Sequence, residues 1–152
     1  MPHSYEKNGA AIYAESFATI RAEADLARFT PAEELVVVRM IHAAGMIGLA
    51  PFVRFTADFA DAARAALEGG ASVLCDARMV SEGIIRARLP ADNQVICTLQ
   101  DPQVRKMAEA AGNTRSAVAL ELWRPYLDGA VVAIGNAPTA LFHLLNMLED
   151  GS

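Results

Sequence analysis

Chemistry in this 152-residue sequence could reside in three histidines, two cysteines and a few polar residues at the ends of apolar runs. His42 is the most informative of them. On a helical period it shares a face with Leu35, Val38, Gly45, Met46 and Leu49, which directs the imidazole inward. An inward histidine is either a hydrogen-bonded core residue or the floor of a pocket. Arg39, one turn earlier, sets a cation beside it, and Gly45, one turn later, removes a side chain that would block approach. Both neighbours favour the pocket, where an imidazole can move protons near neutral pH. His3 lies in the N-terminal tail and His143 on the last helix, and neither position carries a role.

Cys75 and Cys97 stand inside apolar runs, where free cysteine behaves as a small hydrophobe. Metal binding is unsupported, because the sequence has no Cys-x-x-Cys or His-x-x-x-His spacing. Nor does a serine or cysteine occupy a G-x-S-x-G elbow. Ligands of open α/β sheets bind beyond the carboxyl ends of the strands. The polar residues there are Asp76, Thr98 with Gln100 and Asp101, and Asn136 with Thr139. Asp76 and Asp101 read as turn and cap residues. Gly135-Asn136-Ala137-Pro138-Thr139 reads as a glycine turn into a helix start, whose N–H groups could receive an anion, although a P-loop spacing is absent.

The elements that must position these groups follow from periodicity and punctuation. Residues 10–24 read as a helix with Ile12, Phe17 and Ile20 on its apolar side. Thr30, Pro31 and Glu33 spell a capping box for a second helix through Val36, Arg39 and His42, loosening at Gly45 and Gly48. Residues 58–68 form a third, stopped by Gly69-Gly70. Short apolar runs at 72–75, 94–99 and 130–134 then alternate with helices, including one begun by Asp101-Pro102 and one over 115–127. Apolar strands separated by helices predict an α/β fold: a parallel-sheet sandwich with helices on both faces and a helical N-terminal layer. With no linker in view, residues 1–152 read as a single α/β domain.

Composition bounds the function. A hydrophobic fraction of 53% excludes disorder, and a net charge of -5 argues against a general nucleic-acid grip. Lys7 and Lys106 are the only lysines among 13 Lys+Arg, so cationic contacts fall to arginine, whose planar fork suits carboxylate and phosphate. The run between Arg39 and Arg54 is interrupted by Gly48 and Pro51 and is short for a membrane span. The N-terminus shows no apolar signal region, so the expected compartment is the reducing cytoplasm, with two free thiols.

Several collinear stretches resemble the precorrin-8X methylmutase family of cobalamin biosynthesis. They include Ala10-Ala11-Ile12-Tyr13-Ala14-Glu15-Ser16-Phe17, Ile20-Arg21-Ala22-Glu23-Ala24-Asp25-Leu26 and Val38-Arg39-Met40-Ile41-His42-Ala43. Val73-Leu74-Cys75-Asp76, Arg86-Ala87-Arg88-Leu89-Pro90 and Val95-Ile96-Cys97-Thr98-Leu99 continue the match. Gly112-Asn113-Thr114-Arg115-Ser116-Ala117 and Ala133-Ile134-Gly135-Asn136-Ala137-Pro138-Thr139 complete it. The resemblance implies an isomerase that moves a methyl group from C11 to C12 of precorrin-8X, giving hydrogenobyrinic acid. It further implies no metal or organic cofactor, a homodimer, and a chain lacking the family's final strand–helix unit. The family's histidine, its proton donor and acceptor, falls on His42, and Ser16 matches a position at the substrate. Arg39 and Arg115, with Arg86 and Arg88 behind them, are the candidates for the substrate's carboxylates, and Thr98 and Asn113 for further hydrogen bonds. Two other classes stay open at this point: a non-catalytic corrinoid or tetrapyrrole carrier, and a phosphate- or nucleotide-binding module built on the Gly135–Thr139 turn.

Overall fold

The computed structural model describes residues 3, 5–149 and 151. They form two compact units, Met1–Ala62 and Ala63–Ser152. The first is helical. Helix α1, Gly9–Glu23, begins where the Asn8 side chain accepts hydrogen bonds from the backbone of Ala10 and Ala11. Helix α2, Pro31–Ala44, carries the full capping box: the Thr30 hydroxyl accepts from Glu33 N–H while the Glu33 carboxylate accepts from Thr30 N–H. It ends at Gly45, whose φ of 65° is the left-handed cap that glycine adopts without strain.

A 3₁₀ turn, Ile47–Phe52, follows. Two arginines hold it: Arg28 donates to the carbonyls of Ala50 and Val53, and Arg54 to those of Pro51 and Val53. The core of this unit joins Ile20 of α1 to Val37, Val38 and Ile41 of α2 and to Ala50 and Val53, with Phe17, Phe29 and Phe55 packed against them.

The second unit holds the sheet. Helix α3, Phe59–Glu68, begins in the first unit, ends in the second and leads through Gly69 and Gly70 into β1, Val73–Cys75. Helix α4, Arg78–Gly83, a 3₁₀ turn at Arg86–Arg88, and β2, Val95–Ile96, come next. Then follow α5, Pro102–Ala111, and α6, Arg115–Val118. Strand β3, Val131–Ala133, and α7, Pro138–Glu149, complete the described chain. The strands lie in the order β2-β1-β3, all parallel, with Val73 opposite Val95 on one side and Val131 on the other. Central β1 is wholly buried and its neighbours are half-buried. Leu74, Leu120, Trp123, Ala140, Leu144 and Met147 form the main core; Val104, Ala108, Val118 and Ala119 form a second.

Two elements depart from expectation. The strand expected over 94–99 pairs only at Val95–Ile96. Beyond it the Thr98 hydroxyl donates to the Ala119 carbonyl at 2.7 Å and the Thr98 carbonyl accepts from Asp101 N–H, turning the chain toward α5. The helix expected over 115–127 is α-helical only to Val118 and continues as a 3₁₀ helix, Ala119–Tyr126. Pro125 contributes no N–H to that segment, so one backbone hydrogen bond of a continued α-helix would be missing.

Candidate active site

In the first unit, residues 13, 16 and 17 of α1 share one face, since positions three and four apart are neighbours on a helix. That face meets the last turn of α2 at His42. Ser16 Oγ lies 2.7 Å from His42 Nδ1. The Tyr13 ring lies 5.0 Å from the imidazole at an interplanar angle of 34°, and the Phe17 ring 5.3 Å away, edge-on at 87°. Arg39, one turn before His42, places its guanidinium carbon 5.3 Å from the Phe17 ring centre. Ser16, Arg39 and His42 are therefore brought together, with two aromatic walls. Tyr13 and Phe17 were not among the expected site residues, although the spacing Tyr13-x-x-Ser16-Phe17 contains the signal.

The imidazole is half-buried, and its surroundings correct one expectation. Val37, Val38 and Ile41 form the core face of α2, whereas Leu35 and Met46, expected to point inward with His42, are exposed. Ile12 of α1, 44% exposed, and Met46, just past the end of α2, 59% exposed, are likewise left uncovered. A side chain added at Gly45 would meet nothing within 4 Å, so glycine there is required by its φ rather than by access to the ring.

In the second unit Asn113 and Arg115 flank Thr114 at the exposed start of α6. The Asn113 side chain accepts from Thr114 N–H at 2.7 Å, and the Thr114 hydroxyl meets that of Thr139 at 3.0 Å, joining the starts of α6 and α7. Arg86 and Arg88 lie exposed on their own 3₁₀ turn. The Thr98 proton is already given to Ala119.

The Gly135–Thr139 turn corrects a second expectation. Asp76, 2% exposed, accepts from Gly135 N–H at 3.0 Å through one oxygen. Its other oxygen accepts from Asn136 at 3.0 Å and Ala137 at 2.8 Å. The donors expected to face an external phosphate are held by the protein's own carboxylate, which removes the phosphate- or nucleotide-binding module. Gly135 is also a close approach, since a side-chain carbon there would stand 2.8 Å from Val80 Cγ2.

Cys75 is buried and Cys97 half-buried rather than sealed, and both are free thiols. Burial pushes the Cys75 thiol up to about 11, with Cys97 and Asp76 adding to the rise and Arg86 opposing it. Among the described residues no three His, Cys, Asp or Glu side chains are grouped to hold a metal ion. No described helix is long and apolar enough to cross a membrane.

Fold and site thus define an α/β protein with a parallel sheet and a half-buried, hydroxyl-tethered histidine on a helical layer. The family model for precorrin-8X methylmutase matches residues 11–152, and the chain belongs to that family. A precorrin-8X methylmutase of Sinorhizobium is 57% identical over 150 residues, covering 99% of this chain and 71% of the relative. Its counterpart in Pseudomonas aeruginosa is also 57% identical, over 97% of this chain and 71% of the relative. A cobalt-precorrin-8 methylmutase of Methanothermobacter thermautotrophicus is 31% identical, over 84% of this chain and 58% of the relative. Among solved structures, the precorrin-8x methyl mutase of Thermus thermophilus superposes with a TM-score of 0.83 at 38% identity, over 95% of this chain and 70% of that one.

Proposed function

We propose that this protein is an isomerase of cobalamin biosynthesis that moves a methyl group from C11 to C12 of precorrin-8X, giving hydrogenobyrinic acid, with His42 as proton donor and acceptor. The observation that carries the reading is the His42 imidazole itself: tied at Nδ1, walled by Tyr13 and Phe17, and only half-buried. Membership of the methylmutase family supports it. Protonating a conjugated macrocycle eases the methyl shift, and the same imidazole then recovers a proton, so the reaction leaves the proton count unchanged. The 57% identity to precorrin-8X methylmutases, against 31% to a cobalt-precorrin-8 enzyme, favours the metal-free substrate.

The substrate's carboxylate side chains would be bound by Arg39 and Arg115, then Arg86 and Arg88, with Ser16 and Asn113 as hydrogen-bonding partners, while Thr98, whose proton goes to Ala119, drops out. No metal or organic cofactor enters the proposed step. The proposed enzyme is a homodimer working in the cytoplasm, and its two free cysteines suit a reducing compartment. His42→Ala tests the chemistry. Substrate binding should survive while single-turnover conversion, followed by visible absorbance, slows by about 10²–10⁴-fold. Near-normal turnover would overturn the proposal, and binding without turnover in the unmodified protein would make it a carrier.

A further inference from the structure

We propose that Ser16 is a positioning residue that holds the proton of neutral His42 on Nδ1 and leaves Nε2 as the nitrogen that exchanges with substrate. The inference rests on His42 being the proton carrier. Ser16 Oγ, 2.7 Å from Nδ1, tethers one end of the ring, and the tilted Tyr13 and edge-on Phe17 rings limit its rotation. Among the described residues the hydrogen bond of the ring is made at Nδ1, not at Nε2.

The proton count of an isomerisation then dictates the direction of the Ser16 bond. An imidazolium gives its Nε2 proton to the macrocycle and becomes neutral with the remaining proton on Nδ1. Recovering a proton requires that same neutral form, with a bare Nε2 lone pair. Nδ1–H therefore persists through both states and donates to Ser16 Oγ in both. A hydroxyl oxygen can accept in either state without carrying charge. A carboxylate in its place would favour the cation and hinder release of the proton. The hydrogen bond at one ring nitrogen sets which nitrogen carries the proton, so a single serine on α1 suffices to select the form.

Nitrogen-15 NMR of the histidine ring in the full chain tests this directly. The unmodified protein should show neutral His42 with its proton on Nδ1. Ser16→Ala should move the proton to Nε2 and slow single-turnover conversion of precorrin-8X by about tenfold or more, as expected for losing one hydrogen bond to a charged group. Ser16→Thr, which keeps the hydroxyl, should restore both the ring signal and the rate. Neutral His42 protonated on Nε2 in the unmodified protein would overturn the proposal. So would a Ser16→Ala variant whose ring signals are unchanged, since Ser16 would then not set the tautomer. Retained turnover in His42→Ala would defeat the proton-carrier reading separately, because the ring signals report on Ser16 without any substrate.

Discussion

Asp76 places a carboxylate where the residue pattern leaves room for a foreign anion. Three backbone N–H groups, from Gly135, Asn136 and Ala137, converge on its two oxygens, and the side chain is almost fully buried. Asp76→Asn removes the charge and replaces one acceptor with a donor facing donors. The loss should cost about 3 kcal/mol or more, since bonds to charged groups contribute about 1.5–3 kcal/mol each. A urea titration should show a lower midpoint with an unchanged slope. A midpoint shift near zero would mean the turn holds itself. The neighbouring cysteines differ for a related reason. With the Cys75 thiol pushed up to about 11, roughly one molecule in a thousand carries that thiolate at pH 8. A thiol reagent should therefore label half-buried Cys97 first and reach Cys75 only on unfolding; equal native rates, read by peptide mass mapping, would contradict the burial.

At the scale of elements, the same chain uses side chains to settle where helices begin and how they are tied. The Thr30–Glu33 box and Gly45 bound α2 and so place His42 in its last turn. In the second unit α7 is tied to the 3₁₀ helix before it: His143 Nε2 lies 2.6 Å from Glu121 Oε1, and Arg124 donates to Glu121 Oε2 at 2.7 Å. Burial pushes the Glu121 carboxyl up, but the hydrogen bonds and charges of Arg124 and His143 outweigh it, holding the group below its ordinary value. A carboxyl held lower in the folded state than in the unfolded chain stabilises the fold above its unfolded value. That contribution disappears as the pH falls through the folded value. Stability should fall on acidification through the carboxylate range, and Glu121→Gln should flatten this part of the profile. Thermal midpoints measured across that range would check it, and parallel profiles for the two proteins would discard the tie as a source of stability. The effect is modest because the Glu121 side chain is 32% and the Arg124 side chain 45% exposed.

For the whole molecule, a net charge of -5 must be reconciled with a proposed substrate rich in carboxylates. Long-range attraction works against such a pair, so recognition has to come from arginines placed at short range. Arg115, exposed at the start of α6 beside Asn113, is the case to test. Arg115→Ala should weaken corrinoid affinity by roughly tenfold or more, and Arg115→Lys should recover only part of it, because lysine lacks the bidentate fork. Absorbance titration measures both; unchanged affinity in the alanine variant would remove Arg115 from the proposed site.

What the sequence alone determined was whatever is local or collinear. Capping residues announced α2 and α5, Gly69-Gly70 announced the end of α3, and the alternation of apolar runs with helices announced a parallel sheet. The family resemblance pointed to His42 and Ser16 because it rides on runs of adjacent residues. Contacts between distant segments were decided only by tertiary structure. Asp76 and Ala137 stand 61 residues apart and meet because β1 and β3 are neighbours, an order no local pattern encodes. Ser16 and His42, 26 residues apart, meet because α1 packs on α2. The exposure of Leu35 and Met46 was equally illegible: periodicity shows that a side of α2 is apolar, but the packed neighbours decide how much of that side is covered.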